Sequence, residues 1–326
     1  MLAALVGCEG RPLEGASAPP ADAAVGTRST FAVATPAGLI GFSADAKELG
    51  QIVQLPVGVP SSPTLDPAGK VIVFSLSRVA EAADPGSDIY GVSVDGTDLR
   101  LLLKHERPNV FYASPTFDRS TGFLYVHRRA VDLSDLRNPA ASRTLDSVER
   151  VDMRSGEHRT VLTDAAEPTF SPDGKTVVFV HISHGELDGL WTARPDGGIP
   201  GPLFKTRDTF VFMQAPRVSP TGREVVFCSA GHVVTQRSPP PAAGSAGGGR
   251  LAHLGVPSEV FIAPLDGTGL RSIATTGDDV VPAWSPDGDR VAFIAQGTFY
   301  VVSATDGAVK LAQPIAFRFG DPVWLH

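Results

Sequence analysis

PTFSPDGKTVVF at residues 168–179 is the clearest copy of a pattern that recurs along this chain. Every complete copy has a proline, a short apolar step, a polar turn that contains glycine, and an apolar run. The other copies are PTLDPAGKVIVF (63–74), PTFDRSTGFLYV (115–126), PRVSPTGREVVF (216–227), PAWSPDGDRVAF (282–293) and the stub PVWLH (322–326). They begin 52, 53, 48, 66 and 40 residues apart, which indicates one structural unit used several times.

Each unit combines turn signals with strand signals. In Pro172-Asp173-Gly174 the proline presets φ and the glycine accepts a positive φ, which is the chemistry of a hairpin turn. The β-branched and apolar run 176–180 predicts a strand that is buried on both faces. A second turn signal, Asp-Gly at 196–197, closes the unit. The sequence therefore predicts four antiparallel strands per unit, with two tight turns on the same side.

The two ends of the chain each hold part of one further unit. A four-stranded sheet cannot bury two apolar faces alone, whereas sheets packed radially around an axis can, and this predicts an all-β propeller. The segment 322–326 is a first strand, and 31–34, 39–42 and 51–55 resemble second, third and fourth strands with no first strand before them. We predict that both ends build one composite blade, which removes a sheet edge and makes six four-stranded blades.

The second copy departs from the pattern, because Gly122 comes one position later than the other turn glycines. If the copies are aligned on this glycine, His127 occupies the second-strand position that is phenylalanine in the other copies. If the copies are aligned without regard to the glycine, Val126 occupies that position. We predict Val126, since a buried slot usually holds an apolar side chain and not an unpaired histidine.

Repeats of the form Pro-x-Trp-Ser-Pro-Asp-Gly-x-x-Val-Ala-Phe resemble those of the TolB-type (PD40, WD40-like) six-bladed propellers. Residues 282–293 and 168–179 match well, while 63–74 and 216–227 carry Ala or Thr in the turn. The resemblance covers nearly all of 29–326. It is specific for the fold and much less so for function, because such propellers serve as binding scaffolds, as gating domains of peptidases and occasionally as enzymes.

The resemblance implies a non-catalytic scaffold that binds protein partners in the periplasm or cell envelope. The alternative is an enzyme, or a carbohydrate- or metal-binding protein, with its site at the mouth of the central channel. We find no Gly-x-Ser-x-Gly, His-Glu-x-x-His or phosphate-loop motif, and therefore expect no catalytic residue, cofactor or metal ligand. An absent motif does not exclude an enzyme, because propeller sites are assembled from several blades.

The net charge and the hydropathy of the chain limit the classes of partner that it is expected to bind. The net charge is −7 and no basic residues cluster, which argues against nucleic acid. No stretch approaches the roughly 18 apolar residues of a membrane span. We expect a monomer that contacts the membrane only through a lipid anchor.

The first 28 residues are predicted to be a truncated signal, a lipobox and a flexible tether before a propeller at 29–326. Leu5-Val6-Gly7-Cys8 resembles a bacterial lipobox and predicts lipidation at Cys8. The apolar stretch before it is short and lacks basic residues, so either the coding sequence starts further upstream or the match is accidental. Ala, Pro, Gly and Ser dominate the following segment, as in flexible linkers.

Because the four strands of each predicted unit run antiparallel in chain order, all long insertions lie on the face opposite the tight turns. These insertions are 75–88, 127–147 and 228–258. Long loops that are concentrated on one face are typical of a binding face. Aromatic residues and a methionine precede the blade prolines on that face. We predict that they either contact a partner or pack between blades. They are Phe111, Tyr112, Phe210, Phe212, Met213, Phe317 and Phe319.

Three acidic residues near blade starts, Glu167, Asp279 and Asp321, are candidates for the channel mouth, as solvated acids or as ligands of a cation. The segment 181–188 offers metal-ligand residue types, but a plain hairpin loop is the favoured interpretation. Cys228 lies on a second-strand pattern and is predicted to be a buried apolar group without a disulfide.

Overall fold

The computed structural model describes residues 23–78, 84–132, 143–153, 155–204, 210–232 and 258–325. These residues form one short helix, α1 (Ala23–Arg28), and 24 strands. No helix in the described ranges has the length and apolar character needed to cross a membrane.

The strands follow one another in chain order, mostly in groups of four. The first three are β1 (Phe31–Thr35), β2 (Gly38–Phe42) and β3 (Glu48–Gln51). Blade 1 contains β4 (Val59–Leu65), β5 (Val71–Ser77), β6 (Gly86–Ser93) and β7 (Arg100–Leu103). Blade 2 contains β8 (Val110–Phe117), β9 (Leu124–Asp132), β10 (Arg143–Val151) and β11 (His158–Thr163). Blade 3 contains β12 (Ala165–Phe170), β13 (Val177–Ser183), β14 (Glu186–Ala193) and β15 (Gly201–Pro202). Blade 4 contains β16 (Phe210–Val218), β17 (Glu224–His232), β18 (Ser258–Pro264) and β19 (Arg271–Thr276). Blade 5 contains β20 (Ala283–Trp284), β21 (Arg290–Ala295), β22 (Thr298–Ser303) and β23 (Val309–Pro314), and the last strand is β24 (Asp321–Trp324).

The composite blade forms as predicted, with the strand order β24-β1-β2-β3. Residues Phe31 to Ala34 pair antiparallel with Trp324 to Asp321, and the rings of Phe31 and Trp324 lie 4.4 Å apart. The chain is therefore a six-bladed β-propeller that its two ends close together.

The first strands contact one another in the order β20, β24, β4, β8, β12 and β16, so the first strand of each blade lies next to the axis. Tight turns join first to second and third to fourth strands, and we call their side of the ring the turn face. The connections between second and third strands and between blades lie on the opposite side, the long-loop face.

Each pair of neighbouring blades encloses an apolar core of its own, because both faces of every inner strand are covered. One example is the core between blades 4 and 5, which contains Val226, Val260, Val291 and Phe293. The second-strand phenylalanines Phe74, Phe179, Phe227 and Phe293 are all buried. The two-sided burial predicted from the β-branched runs is confirmed.

The register of blade 2 is also as predicted. Val126 is fully buried and packs in the core between blades 1 and 2. The late Gly122 is accommodated by a longer turn, in which its N–H donates to the carbonyl of Asp118 at 2.8 Å. His127, the next residue, is buried as well, but it is paired with Asp146 at 2.7 Å.

Blades 1 and 2 are joined more closely than the sequence suggests. The third strand of blade 1 also pairs in parallel with the first strand of blade 2, through Gly86 with Val110 and Ser87 with Phe111. The two blades consequently form one continuous eight-stranded sheet.

The end of the predicted tether is structured. Residues 23–28 form α1 rather than a linker, because Val25 is buried against the core between the composite blade and blade 1. A side chain at Gly26 would collide with the carbonyl of Val94, so the helix sits directly on the backbone of blade 1. The rest of the predicted tether, with Cys8, lies outside the described residues.

Candidate functional site

A backbone bulge recurs in the first strand of blades 1 to 4, directly before the proline of the repeated pattern. The residue before that proline adopts a positive φ of 51°, 47°, 51° and 51° in Ser62, Ser114, Glu167 and Ala215. This conformation costs a non-glycine residue roughly 1 kcal/mol or more, so each bulge is held by its surroundings. The pairing of first and second strand shifts register at each of these positions.

Two predicted channel acids hold neighbouring blades together at this level. Glu167 Oε2 accepts a hydrogen bond from the N–H of Ala215 at 2.5 Å. Asp321, which precedes the proline of the composite blade, accepts one from the N–H of Ser62 at 2.7 Å. Burial raises the pKa of Asp321 above its ordinary value, although the bond from Ser62 and the charge of Arg217 oppose the rise. Asp279 instead accepts a bond from Ser258 Oγ at 2.6 Å, on the third strand of blade 4.

On the turn-face side of these acids, the axis opens into a cavity of about 550 Å³, which we call the axial cavity. All six blades contribute the residue that follows the proline of the pattern. These residues are Thr64, Thr116, Thr169, Arg217, Ala283 and Val323. Turn prolines and the two tryptophans of the pattern, Trp284 and Trp324, complete the wall. The long-loop face is therefore not the only side of the ring with a concave surface, because the tight turns of the described blades enclose this space on the turn face.

Arg217 is fixed within this cavity from two sides. Its Nη1 donates to the carbonyl of Pro216 at 2.8 Å, and its own carbonyl accepts a bond from Trp284 Nε1 at 2.8 Å. Burial lowers the pKa of Arg217 even though the charges of Glu167 and Asp321 act to raise it. Among the described residues, no carboxylate lies within ion-pair distance of its guanidinium.

A cluster of buried charged groups lies between blades 1 and 2. His105 is buried between Asp88, 2.6 Å from its Nδ1, and Asp84, 3.0 Å from its Nε2. Asp88 is also paired with Arg78 at 2.5 Å. Burial alone lowers the pKa of His105, but the hydrogen bonds to the two aspartates outweigh it and raise that pKa. Sequence reasoning missed this cluster, because its members come from separate strands and connections and share no motif.

The predicted partner-binding aromatics divide by burial. Phe319 is 56% exposed, and Phe111, Phe210, Phe212 and Phe317 are partly buried. Tyr112 and Met213 are buried, so they are core residues and the prediction that they contact a partner is wrong for these two. Alternation along the strand explains Tyr112, whose ring points into the core while its hydroxyl donates to Glu106 at 2.9 Å.

The segment 181–188 forms a hairpin, as the favoured interpretation predicts. His181 pairs with Asp188 at 2.9 Å and stacks on Trp191, with ring centroids 4.0 Å apart. Within the described part of the chain, no three His, Cys, Asp or Glu side chains are arranged to hold a metal ion. Cys228 is buried without a disulfide, and burial raises the pKa of its thiol to about 11.

No protein-family model matches the sequence, and no curated protein sequence does either. Solved structures do match in fold. TolB from Acinetobacter baumannii superposes with a TM-score of 0.63 at 15% identity over 90% of this chain, which spans only 65% of that protein. A putative TolB from Agrobacterium tumefaciens gives 0.57 at 18% identity, over 83% of this chain and 86% of that one.

A chain of a nidogen–laminin complex also superposes, with a TM-score of 0.64 at 9% identity, over 90% of this chain and 97% of that one. At such identities the similarity concerns the fold and not the site. The repeats, the six blades and these neighbours agree: the chain has a TolB-like β-propeller fold.

Proposed function

We propose that this protein is a non-catalytic interaction scaffold of the cell envelope, which binds a protein partner on its long-loop face. The observation that carries the proposal is the exposure of Phe319, a large aromatic side chain that is 56% accessible on that face. Exposed apolar groups that gather at one place on a soluble surface mark interaction sites.

Further apolar groups are exposed at the same end of the ring. Val57 and Val59, 75% and 48% exposed, lie in and just after the crossing from the composite blade to blade 1. The hydrogen bond from Ser62 to Asp321 sets β4 beside β24, and Phe319 and Val59 each lie two or three residues before that bond. These three side chains, with Phe111, Phe212 and Phe317 partly exposed, supply the apolar centre of the proposed surface.

The proposed location in the cell envelope is supported by the lipobox-like Leu5-Val6-Gly7-Cys8 and by the similarity of the fold to TolB. It predicts that labelled palmitate is incorporated when the full upstream reading frame is expressed. Cys8→Ala should abolish the label and release the protein from the membrane fraction. If wild type and Cys8→Ala both fractionate as unlabelled soluble protein, lipidation is ruled out.

Site-specific photo-crosslinking tests the binding face. A photoreactive phenylalanine at position 319 should give a discrete protein adduct in living cells. The matched control is the same residue at Ile199, which is 79% exposed but lies on the turn face. Adducts at position 199 and none at position 319 would mean that the partner binds the turn face, which contradicts the proposed binding face. The absence of adducts at both positions would contradict the scaffold role.

A further inference from the structure

The axial cavity has a charge pattern opposite to that of the whole protein. The chain carries a net charge of −7, yet among the described residues the charged side chains that line this cavity are Arg217 and Arg119, and none is acidic. Arg217 lies on the wall, and Arg119 lies exposed in the turn of blade 2 at the rim. A concave site lined by one sign of charge between low-dielectric walls concentrates ligands of the opposite sign.

Arg217 has unused capacity to bind an anion. A guanidinium carries five N–H donors, and within the described ranges that of Arg217 has one acceptor, the carbonyl of Pro216. Removing a cation from water without an ion-pair partner is costly, and a bound oxyanion offsets that cost. The bond from Trp284 to the carbonyl of Arg217 fixes the backbone from which the side chain starts.

The nearby acids Glu167 and Asp321 do not serve as the ion-pair partner of Arg217. Glu167 and Asp321 attract Arg217 through space, but their carboxylates accept backbone N–H groups of Ala215 and Ser62. Neither acid lines the axial cavity. Their charges therefore exclude a bound anion from the long-loop side and confine it to the turn side of Arg217.

The rest of the wall suits a small organic molecule. Thr64, Thr116 and Thr169 occupy the position of Arg217 in three other blades and add hydroxyl groups. Thr169 Oγ1 accepts a bond from Val218 N at 3.1 Å, which leaves its proton to donate. Trp284 and the prolines offer apolar surface, and a volume of about 550 Å³ falls within the range of ligand pockets.

We propose that the axial cavity binds a small organic oxyanion, a carboxylate or a phosphate on a compact apolar or sugar ring, through Arg217 with Arg119 at the entrance. This site is separate from the proposed partner surface, because it opens on the other face of the ring. It requires no catalysis and no metal.

Titration of the full chain with paired probes tests the proposal, by calorimetry and by the fluorescence of Trp284 and Trp324. Hippurate is compared with the neutral hippuramide, and glucose 6-phosphate with glucose. At least one anion should bind tenfold or more tightly than its neutral counterpart, with an affinity that falls as salt rises. The two pairs distinguish carboxylate from phosphate. Equal binding within both pairs, or no binding of any probe up to millimolar concentration, overturns the proposal.

Variants locate the site. Arg217→Gln should weaken anion binding about tenfold or more, since a charge-assisted bond is lost, while Arg119→Gln should weaken it less and mainly at low salt. Arg194→Gln, in an exposed turn on the same face and paired with Asp196, is the matched control and should bind as wild type does. If Arg217→Gln does not fold, Thr116→Val replaces it. Unchanged affinity in Arg217→Gln, or in its replacement, overturns the assignment.

Discussion

Asp321 and Ser62 are 259 positions apart in sequence, yet the carboxylate of one accepts a hydrogen bond from the backbone of the other at 2.7 Å. The bond joins the last strand of the ring to the first complete blade. It lies within the channel, where Glu167 makes the corresponding bond between blades 3 and 4. The channel acids thus have a structural role whether or not they meet a ligand.

Asp321→Asn should stabilise the protein increasingly as pH rises. The folded state raises the pKa of Asp321, so it binds the proton more tightly than the unfolded state does. The ionised carboxyl therefore lowers stability, and the penalty appears as pH rises from the unfolded pKa of about 3.9 through the folded pKa. The asparagine oxygen still accepts the Ser62 N–H without that penalty. Melting temperatures of variant and wild type should be equal at low pH and diverge above it.

Asp173→Asn is the matched control, because the hydrogen bond from Ser171 lowers the pKa of Asp173. Its effect should have the opposite sign, with the wild type more stable near neutral pH and the difference lost in acid. A pH-independent difference for Asp321→Asn would contradict the assignment of a buried, penalised charge.

His105 should stabilise the junction of blades 1 and 2 mainly in its protonated form. Its pKa is raised in the folded state, so its contribution is fully present below the unfolded pKa of about 6.5 and is lost as pH rises through the folded pKa. The stability difference between wild type and His105→Gln should therefore shrink with rising pH in denaturant titrations. The exposed His184 gives the control, since His184→Gln should have little effect. A difference that grows with pH would contradict the prediction.

Tyr112 and Phe319 should respond in opposite ways to truncation. Tyr112→Ala leaves a cavity in the core and removes the hydrogen bond from its hydroxyl to Glu106, and should cost about 3 kcal/mol or more in the free energy of unfolding. Phe319→Ala removes an exposed ring and should leave that free energy within about 0.5 kcal/mol. Phe319→Ala should nevertheless reduce the binding of the protein partner, although the variant remains folded. A free energy of unfolding that Tyr112→Ala leaves unchanged would mean that its ring is not part of the core.

Trp324 should be essential for ring closure. It is buried, packs against Phe31 with the two rings tilted at 56°, and donates from Nε1 to the carbonyl of Ala283 at 3.2 Å. Trp324→Ala should cost about 3–5 kcal/mol, and deletion of 320–326 should lower the melting of the whole ring in one transition. Calorimetry would show this as a single shifted peak. Unchanged melting after the deletion would mean that the composite blade does not hold the ring.

Local rules were sufficient for much of this fold. Turn residues, β-branched runs and the unmatched strands at the two ends predicted the six blades, the composite closure and the place of Val126. Each of these depends on residues that lie close together in sequence or on a count of strands. Periodicity could not show which face of β8 is covered, and so both a partner contact and packing between blades stayed open for Tyr112.

The candidate sites were much less predictable. Glu167 and Asp321 were expected at the channel because they lie near blade starts, where side chains can approach the axis. Arg217 was not, since the residue after the proline of the pattern differs from copy to copy and only the ring brings those residues together. The buried group of His105 with Asp84 and Asp88 was missed for the same reason.

The pairing of β1 with β24 also bears on synthesis. The edge of β1 stays unpaired until the residues of β24 have been synthesised. The pairing of β1 with β24 is therefore a late contact in folding, and it joins strands that are far apart in sequence. A chain that stops early would expose a strand edge beside the apolar rings of Phe31 and Phe299, a template for aggregation and a target for proteases. Closure by β24 thus makes the protection of the β1 edge depend on residues that are synthesised almost 300 positions later.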